Sequence, residues 1–98
     1  MTNFDELAKN PEIKAYFDSL VGITIDEACK KLGRWWMCVS CHINAFDGKG
    51  WYRFHHAAGG NIELRTEFRD GKNIVVGEEH NACSMVFVKR DLGINKND

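Results

Sequence analysis

Ile62-Glu-Leu-Arg-Thr-Glu-Phe-Arg69 places Ile62, Leu64, Thr66 and Phe68 at every second position, with Glu63, Arg65, Glu67 and Arg69 between them. Side chains of a strand alternate between faces, so this segment reads as a strand with one buried and one wet face, the pattern of an antiparallel sheet covered on one side. Similar segments flank it, at Trp35 to Phe46, Trp51 to Ala58, Ile74 to Glu79 and Cys83 to Lys89. Turn-forming runs separate them: Asp47-Gly-Lys-Gly50, Gly59-Gly-Asn61, Asp70-Gly71 and His80-Asn81. The expectation is an antiparallel meander of about five strands.

Upstream of Trp35 the period is helical. Asn10-Pro11 suits an N-cap followed by proline in the first turn, with Ile13, Tyr16, Phe17 and Leu20 recurring at helical spacing up to Gly22. Thr24-Ile-Asp-Glu27 has the form of a capping box and leads into Ala28, Cys29 and Leu32 before Gly33. The fold class expected is therefore α+β, with two short N-terminal helices packed on a twisted antiparallel meander.

Ninety-eight residues fit a single domain over 1–98. Its ends, about 1–9 and 90–98, read as mobile polar segments. Thirteen basic residues against fourteen acidic ones leave a net charge of -1, which disfavours non-specific attraction to nucleic acid or anionic membranes. The acidic start, Met1-Thr-Asn-Phe-Asp-Glu-Leu7, has no signal-peptide pattern, and no apolar run reaches membrane-spanning length. A cytoplasmic setting is expected, where four cysteines suit free thiols, metal ligands or reactive thiols better than disulfides.

Short turns would set the registers. A Gly48-Lys49 turn pairs Cys41 with His56 and His42 with His55, and a Gly59-Gly60-Asn61 loop sets Leu64 beside His56. Continuing through an Asp70-Gly71-Lys72 loop and a His80-Asn81 turn gives a cross-sheet row of Cys41, His56, Leu64, Glu78 and Cys83.

Three constellations could carry function. Cys38-x-x-Cys41 and His80-x-x-Cys83 supply the Cys3His set of a structural zinc site, provided that the sheet curls enough to join them. Cys41, His56 and Glu78 have the residue types of nucleophile, base and orienter in thiol enzymes, although their expected face is the core. Trp36, His42, Trp51, Arg53 and His55 would gather on the outer face of the first hairpin, where Trp and Arg anchor protein interfaces well. Cys38-Val-Ser-Cys41-His42 also fits the haem-attachment pattern, but its flanks read as strand. Gly59-Gly60 lacks the context of a phosphate loop.

The function expected is a small cytosolic protein-binding module of inhibitor or adaptor type that occupies a partner's surface, a reading that favours binding over catalysis without deciding whether the protein is an enzyme. A zinc-stabilised form of that module is the first alternative. A thiol enzyme or small-ligand-binding protein using Cys41 and His56 is the second. Exposed edge strands also leave room for a homodimer.

Overall fold

The computed structural model describes residues 4–93. Three helices, α1 (Phe4–Lys9), α2 (Pro11–Asp18) and α3 (Ile25–Leu32), precede four strands, β1 (Trp36–Ile43), β2 (Lys49–His56), β3 (Asn61–Arg69) and β4 (Lys72–His80). A fourth helix, α4 (Ala82–Leu92), follows them. The strands form one antiparallel sheet in the order β1-β2-β3-β4. The α+β class holds, with four strands and four helices in place of five and two.

The two expected helices form where their caps demand. The Asn10 side chain accepts from the Glu12 and Ile13 amides at 2.9 and 3.3 Å, and Pro11 opens α2. Ile13 and Phe17, one turn apart, are its buried residues. At α3 the Thr24 hydroxyl accepts from the Glu27 amide at 3.1 Å while the Glu27 carboxylate accepts from the Thr24 amide at 3.3 Å. These bonds to Thr24 hold the Glu27 carboxyl below its ordinary range. Gly33, at φ +84°, ends the helix with a conformation that side chains resist.

The segment from residue 4 to residue 9, expected as part of a mobile end, is the helix α1, and its Leu7 joins the core. At the other end, residues 90–92 belong to the last turn of the helix α4 and Gly93 caps it, while residues 1–3 and 94–98 lie outside the described residues.

The fifth expected strand is the helix α4. Its apolar residues read as period two, yet the buried positions Ser84, Met85, Phe87 and Val88 follow helical spacing. What decides the matter is Asn81. Its side-chain oxygen accepts from the Ser84 amide at 3.1 Å and from the Asn61 amide at 3.0 Å, so it caps α4 and binds the start of β3 together. The buried Ser84 hydroxyl accepts from the Asn61 amide at 3.0 Å, and its single proton is shared between the Asn61 carbonyl at 2.8 Å and the Asn81 oxygen at 2.6 Å. Gly93, at φ +71°, closes the helix.

β3 lies as its alternation requires. Ile62, Leu64 and Thr66 are buried beneath the helices beside Phe54 of β2 and Val75 of β4, whereas Phe68 projects beyond the covered area. Every expected pairing except one shifts. The first turn runs from Asn44 to Gly48, closed by the Asn44 amide on the Lys49 carbonyl at 2.8 Å, and this sets Cys41 opposite Tyr52 and His42 opposite Trp51. The second loop is Ala57 to Gly59, which places Leu64 beside Tyr52. Leu64 does pair with Glu78, reached through a two-residue Asp70-Gly71 turn with positive φ at both residues and a bulge that skips Val76.

One more irregularity directs the rest of the molecule. The β1 register breaks between Cys38 and Ser40, leaving Val39 unpaired as a bulge. Alternation inverts there, so Trp36 lies on the helix side with only 6 % of its surface exposed. It meets His56 edge-on at 5.1 Å and Phe87 at 6.4 Å between ring centres. Gly60 permits this packing, since a Cβ there would stand 2.7 Å from the Trp36 ring and 3.0 Å from Phe87. Trp36→Ala is expected to cost about 3–5 kcal/mol, against less than about 1 kcal/mol for Trp35→Ala, because Trp35 is 59 % exposed. Urea unfolding of the two variants checks the contrast.

Candidate functional site

The outer face of the β1–β2 hairpin is built from three cross-strand pairs: Met37 with His55, Ser40 with Arg53, and His42 with Trp51. Arg53 lies with its guanidinium carbon 4.3 Å from the centre of the Trp51 ring and donates from Nε to Glu63 at 2.8 Å. The salt bridge restrains the guanidinium over the indole, a favourable electrostatic arrangement that also stiffens a long side chain. His42 leans on the other side of this cluster, 6.1 Å from the Trp51 ring centre, and His55 Nδ1 pairs with the Asn61 side-chain oxygen at 2.9 Å. A hollow lined by His42, Trp51, Glu63 and Arg65 adjoins it.

Four of the five expected partner-facing residues, His42, Trp51, Arg53 and His55, thus share one face. Trp36 is a correction: the Val39 bulge turns it into the core, and Met37 stands on the outer face in its stead. A strand read as strictly alternating cannot reveal this, because a bulge reverses the parity of all that precedes it.

The two edges of the sheet differ. β4 is shielded by the segment before α3: the Val75 amide donates to the Ile23 carbonyl at 2.8 Å, the Gly22 amide donates to the Val75 carbonyl at 2.7 Å, and Thr24 bridges Ile74. β1 has β2 on one side and, among the described residues, no strand on the other. Trp35, Met37, Val39, Ile43 and Phe46 are exposed along this edge and its turn, with Met37 at 65 % and Val39 at 58 %. The strand itself carries no Lys, Arg, Asp or Glu. Natural sheets usually guard such an edge with charge, proline or cover, and among the described residues the bulge is the guard that β1 carries.

The expected zinc set is not assembled. Cys38, Phe54, Ile62 and His80 occupy one cross-sheet row. Cys38 and His80 are therefore at opposite edges, three strand steps or roughly 14 Å apart. His80 is instead stacked on Phe17 at 3.7 Å and paired with Glu78 at 2.6 Å, and Cys83 is exposed on α4. Among the described residues, no three His, Cys, Asp or Glu side chains form a group that could hold a metal ion.

The expected thiol-enzyme set is likewise dispersed. Cys41 faces Tyr52, His56 stacks on Phe87 at 4.0 Å, and Glu78, on β4 at the other edge, is bonded to His80 of the same strand. The four-residue shift of the first two hairpins is the cause: His56 sits opposite Trp36, the far end of β1 from Cys41.

What the alternation missed is a different grouping on the inner face. The bulge brings Cys38 and Cys41 to the same side, near Tyr52 and near Cys29 of α3. Partial burial pushes the Cys38 thiol up, with the charge of Cys41 adding to the effect; burial and then Cys38 do the same to Cys29. Tyr52 is raised by burial and by the neighbouring thiols.

No protein-family model matches this chain, and comparison with curated proteins and with solved structures gives no match. No helix among the described residues is long and apolar enough to cross a membrane.

A raised thiol holds less thiolate at a given pH, and thiolate is the species that alkylates. Cys29 and Cys38 are therefore expected to react with iodoacetamide at pH 8 more slowly than cysteine in an unstructured peptide, with rates that keep climbing at higher pH. Site-resolved mass spectrometry of the labelled protein tests this; peptide-like rates at both positions would contradict it.

Proposed function

We propose that this protein is a small protein-binding module, of inhibitor or adaptor type, that captures an extended apolar segment of a protein partner along β1. The β1 edge is the observation that carries the reading, since among the described residues no strand pairs with its outer side, while Trp35, Met37 and Val39 offer apolar contact there. Strand addition at a sheet edge draws affinity from backbone hydrogen bonds and specificity from alternate side chains. Trp51 and Arg53 would anchor the outward-facing residues of the added segment, with His42 and His55 beside them. A neutral strand favours a neutral, apolar guest, because no charge on β1 would compensate one buried against it. Four free thiols support a reducing, cytoplasmic setting for the module.

Selection from a displayed library of random dodecapeptides tests the reading without knowledge of the partner. Enriched peptides are expected to alternate apolar residues and to bind at least about tenfold more weakly to a Met37→Lys/Val39→Glu variant, whose added charges guard the edge and leave the core alone. No enrichment, or equal binding to the folded variant, would overturn the proposal.

A further inference from the structure

Residues three apart in a regular strand point to opposite faces, so Cys38 and Cys41 would normally be separated by the sheet. The Val39 bulge cancels that: Cys38 sits opposite Phe54 and Cys41 opposite Tyr52, residues two apart on β2 and so on one face. Both cysteines are exposed, and buried Phe54 lies across from Cys38. The Cys38 thiol donates to the Ser40 carbonyl, at 3.6 Å, and is within hydrogen-bonding reach of the Cys41 side chain.

Spacing decides what such a pair can do. Their partners Phe54 and Tyr52, two apart on β2, have Cα atoms on the order of 6.6 Å apart, and the bulge draws Cys38 and Cys41 to a comparable spacing. A disulfide needs Cβ atoms at about 3.8 Å, so joining the two sulfurs to each other would require β1 to rearrange. A bridging ion is easier. Two metal–sulfur bonds of about 2.3 Å span about 4.6 Å when collinear. No third or fourth ligand completes a group among the described residues, which leaves zinc's tetrahedral shell unfilled. Soft thiolates favour Cu(I), an ion that two thiolates satisfy in a linear arrangement.

We propose that Cys38 and Cys41 form a two-thiolate binding site for a soft monovalent cation of the Cu(I) class, on the face of the hairpin opposite the one assigned to the protein partner. Binding forms two sulfur–metal bonds and breaks two S–H bonds. Both protons pass to solvent, and the metal keeps its oxidation state. Cys29, on α3, borders the site without joining it, and Tyr52 lies across the strand from Cys41.

The test is competition for Cu(I), with the reduced protein titrated under argon against a chromophoric Cu(I) chelator. One ion per chain is expected to leave the chelator. The Cys38→Ser/Cys41→Ser variant is expected to take none, with its far-ultraviolet circular dichroism unchanged because both side chains are exposed. The complementary Cys29→Ser/Cys83→Ser variant should still take one. Failure of the wild type to compete, uptake by the first variant, or loss of uptake by the second while folded would each overturn the assignment.

Discussion

One unpaired residue in β1, Val39, decides the character of both faces of the hairpin. Without it, Trp36 would stand in solvent beside His42, and Cys38 would face away from Cys41. With it, Trp36 packs against Phe87 and above Gly60, where nothing larger than glycine would fit. The same inversion delivers Met37 to the outer face and sets two thiols side by side on the inner one. A bulge is thus the common origin of the core's largest side chain, the composition of the outer surface and the dithiol.

A second constraint is the polar knot at the end of β4. Asn61, Asn81 and Ser84 exchange hydrogen bonds in which donors at the start of β3 and at the α4 N-terminus converge on the same oxygens. Burying these groups would be costly if any were left unpaired, so the satisfied set holds α4 against the sheet in one orientation. With α4 held there, Phe87 reaches His56 and Trp36, and Met85 and Val88 reach the core.

These restraints leave the molecule lopsided. The helices and the segment Gly22 to Thr24 attend to β3 and β4, while the β1 edge and its turn keep their apolar side chains exposed. An edge of this kind invites pairing, and that imbalance, more than any cluster of reactive groups, shapes the functional reading. The histidines make the same point. His56 and His80, each a candidate for chemistry by residue type, are occupied by stacking on Phe87 and Phe17.

Local rules were enough for much of the fold. Asn10-Pro11 and the Thr24–Glu27 box placed two helices, and the alternation from Ile62 to Thr66 placed the central strand with its faces the right way round, because each depends on contacts within a few residues. Asn81 and Gly93, a cap at each end, are local helix signals for α4 that compete with the strand-like Val86-Phe87-Val88 between them. For the candidate site, His42, Trp51, Arg53 and His55 were legible as one face because two slips of four residues preserve parity. Trp36, Met37 and the Cys38–Cys41 pair were not, since nothing local announces a bulge, and turn length sets which residues meet across strands. The sequence by itself determined α2, α3 and the two faces of β2 and of β3 from Ile62 to Thr66, which follow from capping and periodicity. Only the tertiary structure decided register, the bulge and the uncovered edge, because these arise from how distant segments share hydrogen bonds and space.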